Sequence, residues 1–188
     1  MLAPREKLWP AHPALVEAAL DLLGVAAPGH VLGDFGCGDG PALFAAAARG
    51  ARAVGWEVHA ERAAALAGEV ARRGLGASIT VVAGNALEAR FEGEAAPDAD
   101  EAAAGPGGGA GAVAAPLPTH VYLYLIARGL RLMLPILWRV AARQPGGRLR
   151  VVSALYAIEG LVPLAVQRVS TAGEGRTPLY LYELVVGA

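Results

Sequence analysis

Residues 30–40 read HVLGDFGCGDG: a short apolar run, then Gly36, Gly38 and Gly40 with Asp34 and Asp39 beside them. Glycine carries no side chain, so alternating glycines leave a bend of bare main chain that a ligand can approach closely. The flanking sequence makes this bend the turn of a strand–loop–helix unit. HVLGDF has the apolar run of a buried strand. PALFAAAARG follows as a helix, with Pro41 in its first turn and Gly50 past its end.

The unit recurs along the chain. RAVGWEV, AERAAALAGEVARRG and SITVVAGN read as strand, helix and strand. Upstream, HPALVEAALDLLGVAAPGH has apolar residues at helical spacing and stops at Gly24 and Pro28. THVYLYLI is a fourth strand, followed by a helix through Arg143 that QPGG ends, and RLRVVSALY is a fifth strand. Strands alternating with helices predict an α/β architecture around a parallel sheet. The stretch from Tyr156 to Pro163 is too short for a crossover helix, which needs about a dozen residues. The sheet is therefore expected to close with an antiparallel hairpin of PLAVQRVS and TPLYLYELVV. Residues 93–118, rich in alanine, glycine and proline and without a period, are expected to be a flexible low-complexity insert in a single domain spanning residues 1–188.

Composition narrows the function classes. The 188 residues are 55% hydrophobic, enough for one stable core. A net charge of -1 offers no broad basic field, which argues against a DNA partner. Cys37 is the single cysteine, so no internal disulfide and no multi-cysteine metal site forms, and a reducing compartment fits. Charges and prolines between Met1 and Pro13 are not those of a secretory signal. VYLYLIARGLRLMLPILWRVAA contains Arg128, Arg131, Arg139 and Pro135. One arginine at mid-bilayer costs about 2.5–3.5 kcal/mol on insertion scales, so this span reads as a strand and a core helix, not a transmembrane segment. The chain is expected to be intracellular, in the cytoplasm first, with the mitochondrion or another organelle as the alternative.

Three nucleotide-binding patterns compete for the glycine loop. A dinucleotide fingerprint needs G-x-G-x-x-G, and Pro41 stands where the third glycine belongs. A phosphate-cradling P-loop needs a Gly-Lys-Ser/Thr, and no lysine is near. What remains is D-x-G-x-G-x-G at the end of the first strand. A second acid, Glu57, ends the second strand about 20 positions on, where a carboxylate can accept hydrogen bonds from both hydroxyls of a ribose. A tight turn without any ligand is the plain alternative.

Gly36, Gly38 and Gly40 behind Asp34, together with Glu57, resemble the first motifs of the S-adenosylmethionine-dependent methyltransferases with a Rossmann-like fold. The resemblance implies a mostly parallel sheet with an antiparallel C-terminal hairpin and helices on both faces. It also implies S-adenosyl-L-methionine as cofactor. Asp34 would lie near the amino-acid end of that cofactor, Asp39 would help hold its ammonium group, and Cys37 would lie with the glycines in the loop against it. Asn85, in the GNALEA turn after the third strand, would accept from the adenine amino group. Ala86 would present its N–H to the ring. Asn85 reads equally well as a turn residue.

The leader EKLWPAHPALVEAALDLLGV, the YLYL strand and the closing PLYLYELV are similar to a family of small lysine N-methyltransferases. That family includes bacterial proteins and the mitochondrial enzymes acting on the ATP synthase c subunit and the adenine nucleotide translocase. In it the leader packs across the cofactor. Here it reads Trp9, Pro10, Ala11, His12 and Pro13, and Trp9 would supply the aromatic face. The resemblance implies a protein substrate with an accessible lysine. The Asp/Asn-Pro-Pro-aromatic motif of many adenine and glutamine methyltransferases is missing after the fourth strand. In its place stand Tyr122 and Tyr124, which period two sends to one face while Leu123 and Leu125 go to the other. A tyrosine ring there would steer an amine, and Tyr124 is the first choice for that catalytic role. The alternatives are a small-molecule or RNA methyltransferase, and a non-catalytic cofactor-binding or scaffold protein of the same fold.

Overall fold

The computed structural model describes residues 10–94, 114–171 and 175–187. Helix α1 spans Pro13–Leu23; the His12 side chain accepts from the Ala14 N–H at its start, and Gly24 ends it in the left-handed region at φ 78°. There follow β1 (Val31–Phe35), α2 (Pro41–Ala48), β2 (Arg52–Glu57), α3 (Ala60–Arg72) and β3 (Ile79–Ala83). A short turn of 3-10 helix at Ala86–Glu88 leads away from β3. The second half holds β4 (His120–Leu123), α4 (Ala127–Ala142), β5 (Arg148–Ala154), β6 (Ala165–Thr171) and β7 (Gly175–Val185).

The strands form one sheet in the order β3-β2-β1-β4-β5-β7-β6. Those from β1 to β5 run parallel, and β7 runs antiparallel between β5 and β6. The predicted parallel sheet with its antiparallel C-terminal hairpin is the observed one. Its order reverses between β1 and β4, and at such a switch point a crevice opens outside the carboxyl ends of the strands.

Each face of the sheet has its own core. On one, Leu32, Ala53 and Val152 pack with Leu20 of α1, Leu43 of α2 and Leu66 of α3. On the other, Phe35, Trp56 and Val151 meet Leu130, Met133 and Leu137 of α4. Phe35 and Trp56 stack at 4.6 Å, and Phe91 meets Trp56 edge-on at 5.7 Å. Pro135 lies inside α4 on its exposed side, where the lost backbone hydrogen bond faces solvent. No helix of the described residues is long and apolar enough to cross a membrane.

Two sequence readings change. The fourth strand stops at Leu123 instead of continuing to residue 126, because Ile126 already caps α4. The alternation outlasts the ladder: Tyr122 and Tyr124 pack with one core, Leu123 and Leu125 with the other. The described ends of the expected 93–118 insert are also built into the fold. Phe91 and Ala115 form a parallel bridge and both are fully buried, while the Glu94 carboxylate lies 3.4 Å from Arg139 and 3.3 Å from Arg143. Pro118 packs where a β-carbon on Gly33 would stand. Residues 95–113 of the expected insert lie outside the described residues.

Candidate functional site

The glycine loop is built by hydrogen bonds that only a bare backbone can arrange. After β1, the N–H groups of Gly36 and Cys37 both donate to the Trp56 carbonyl, at 2.8 and 3.0 Å, which folds the loop over the end of β2. The Gly40 N–H donates to the Cys37 carbonyl at 2.8 Å and closes the turn before α2. Gly36 and Gly40 have φ of 100° and 76°, where a side chain is strained. A β-carbon on Gly40 would also stand 2.7 Å from Leu66 Cδ1.

Glu57 is tied to this loop. Its Oε2 accepts from the Gly38 N–H at 3.1 Å, and its Oε1 accepts from the His59 N–H at 2.9 Å. Arg62 lies 3.8 Å from Oε1. Asp34 registers with Gly55 across β1 and β2, so Asp34 and Glu57, two residues beyond Gly55, leave the sheet on the same side. Both carboxylates are buried. Burial first, and then the Glu57 charge, pushes the Asp34 carboxyl up to about 7. A site that strains a carboxylate in this way favours an incoming cation.

The remaining residues singled out from sequence fall unevenly around this centre. Cys37 turns its thiol into the core beneath the loop, where burial first, and then the charges of Asp34, Glu57 and Asp39, push its pKa well up. Asp39 is exposed at the loop's outer edge. Asn85 caps the 3-10 turn: Oδ1 accepts from the Leu87 N–H at 3.1 Å and Nδ2 donates to Glu88 at 3.0 Å. That is the turn role its alternative reading gave it, and Ala86 is buried behind it. Tyr122 registers with Asp34 on the neighbouring strand and is 2% exposed, whereas Tyr124 is half-buried. Trp9 lies outside the described residues.

Sequence reasoning missed three neighbours. Val58, directly after Glu57, is 65% exposed and offers an apolar wall. Leu125 packs 3.3 Å from where a β-carbon on Gly36 would be, which brings the β4–α4 connection against the glycine loop. Gly55 lets Leu43 and Cys37 pack close beneath the two acids, and a glycine inside a strand pattern was the signal for such a close approach. Among the described residues no group of three or more metal-ligating side chains gathers anywhere.

No family model and no curated protein sequence matches this chain. Solved structures do. An RNA methyltransferase from Salinibacter ruber, in complex with S-adenosyl-L-homocysteine, aligns over 95% of this chain and 95% of its own, with TM-score 0.70 and 23% identity. The C-terminal domain of precorrin-6Y C5,15-methyltransferase from Rhodobacter capsulatus aligns over 97% of this chain and 94% of its own, with TM-score 0.57 and 17% identity. Geranyl diphosphate C-methyltransferase from Streptomyces coelicolor A3(2) matches 75% of this chain, which spans 45% of that longer one, with TM-score 0.50 and 20% identity. The chain has the Rossmann-like methyltransferase fold: a seven-stranded, mostly parallel sheet with helices on both faces and an antiparallel hairpin at its end.

Proposed function

We propose that this protein is an S-adenosyl-L-methionine-dependent methyltransferase whose acceptor is a small molecule. One observation carries the cofactor: the hydrogen bond from Gly38 to Glu57 joins the bare loop and the strand-end acid, two features read from separate motifs, into one crevice. Glu57 keeps lone pairs for a ribose, Val58 offers an apolar surface to an adenine, and Asp34 suits an ammonium group. Structural neighbours holding S-adenosyl-L-homocysteine support the same cofactor.

The cofactor supplies a methyl group on a sulfonium, already activated for displacement. Glu57 and Asp34 would hold it with that methyl carbon presented to an acceptor's electron pair and sulfur as the leaving group. This chain's residues have to hold both partners in line and keep water out, and such alignment can lower a barrier by about 7–11 kcal/mol. Tyr124 and the β4–α4 connection are assigned to the acceptor side, since Leu125 of that connection packs against Gly36 of the glycine loop.

For the acceptor, the named substrates of the neighbours are RNA, geranyl diphosphate and precorrin, and none is a protein. The lysine reading rests on the sequence resemblance alone. A small molecule is favoured by the exposed apolar side chains that follow the carboxyl ends of β4 and β5, Ile126 and Tyr156. RNA is the second reading, favoured by the Salinibacter ruber likeness. Against it, Arg49, Arg72, Arg73, Arg139, Arg143 and Arg148 are all spent in ion pairs within the chain. Transfer of label from the methyl donor to a small-metabolite extract, total RNA and a protein pool tests the assignment. Label in the metabolite fraction supports it. Label confined to RNA or to protein lysine overturns the acceptor. Donor binding without transfer to any pool points to a non-catalytic binding protein.

A further inference from the structure

We propose that the Tyr122 hydroxyl binds the carboxylate at the amino-acid end of the cofactor, so that Asp34 and Tyr122 hold the two opposite charges of that end from neighbouring strands. The inference rests on the methyl-donor reading above and assigns a residue within that site.

The hydroxyl of Tyr122 is buried and makes no hydrogen bond. Buried polar groups are nearly always paired, so an unmatched one calls for an explanation, and a ligand that brings an acceptor provides it. Position supports this. Asp34 and Tyr122 are register partners on adjacent parallel strands and leave the sheet on the same side, at the boundary where the strand order reverses.

Reach supports it too. With the ribose at Glu57 on β2, the thioether arm crosses over β1, and β4 lies two strand spacings away, about 10 Å. Asp34 draws the ammonium but repels the carboxylate, which therefore needs a donor from another strand. Tyr122 is that donor: burial first, then Asp34 and Tyr124, keeps its phenol protonated far above neutral pH. Tyr124, half-buried past the strand end, stays with the acceptor.

The test is calorimetric titration of the full chain and its Tyr122→Phe variant with S-adenosylhomocysteine and with its decarboxylated analogue, S-adenosyl-3-thiopropylamine. The substitution should weaken S-adenosylhomocysteine about tenfold or more and leave the analogue unchanged. The melting temperature of the unliganded variant should not fall, because the hydroxyl bonds nothing there. Equal affinity of both proteins for S-adenosylhomocysteine, or an equal loss for both ligands, overturns the proposal. Should the variant not fold, the unaltered protein decides: an analogue that binds as tightly as S-adenosylhomocysteine overturns it. If the unaltered protein binds neither ligand, the methyl-donor reading falls and this inference with it. Binding of both without any dependence on the carboxylate removes only the inference.

Discussion

A β-carbon on Gly55 would lie 2.6 Å from Leu43 Cδ1 and 2.7 Å from Cys37 Sγ. Gly55→Ala should therefore destabilise the protein by about 1–3 kcal/mol through overpacking, read by urea denaturation. An unchanged midpoint would mean that the floor of the site is softer than its contacts indicate. Asp34 gives a pH signature. Its folded pKa is raised, so the stability it contributes is fully present below its ordinary value of 3.8 and is lost as pH rises towards about 7. Asp34→Asn should gain stability over the unaltered protein at about pH 8 and show little difference at about pH 4. A ligand ammonium reverses this balance. S-adenosylhomocysteine affinity should climb with pH up to about 7 and then level off, with net proton release detected by calorimetry near pH 6. An affinity flat across that range would contradict the Asp34 assignment. At this scale the acids and glycines were legible in the sequence because motif spacing encodes main-chain geometry. Asn85 was not, because capping a turn and accepting from an adenine ask the same carbonyl of it. Nor did spacing show how deeply Tyr122 would be buried, since burial depends on what packs against the strand.

Among the elements, β1 and β4 carry the site at one end and a histidine pair at the other. His30 and His120 rings lie 4.5 Å apart, and Thr119 Oγ1 is 2.9 Å from His120 Nδ1. Burial first, then His30 and Arg150, pushes His120 down to about 4. A depressed folded pKa means the stability is fully present above the ordinary value of 6.5 and is lost as pH falls through about 4. Denaturation midpoints should fall between about pH 6.5 and 4, and His120→Gln should lose less over that interval. Parallel curves for the two proteins would show that His120 is not the group titrating. The helices and strands themselves were readable from period and punctuation. The early end of β4 was not, because Tyr124 and Leu125 keep strand alternation after the ladder has stopped.

Across the whole molecule, alternation of strand and helix was enough to give a parallel sheet, and the short link after Tyr156 was enough to give the closing hairpin. Where the insert joins the fold escaped that reading. Ala115 falls inside the expected insert, and its bridge to Phe91, which meets Trp56 edge-on, makes it part of the core. The acceptor is equally illegible in strand patterns, since it depends on the loops past β4 and β5 and not on the scaffold. The proposed cofactor site does depend on the scaffold, through Glu57 bound to the glycine loop. Titration of S-adenosylhomocysteine into the full chain by calorimetry measures this directly. One molecule should bind per chain, and Glu57→Ala, confirmed folded by its melting curve, should weaken binding by about 1–3 kcal/mol. Absence of binding by the unaltered protein, or equal binding by both, would contradict it.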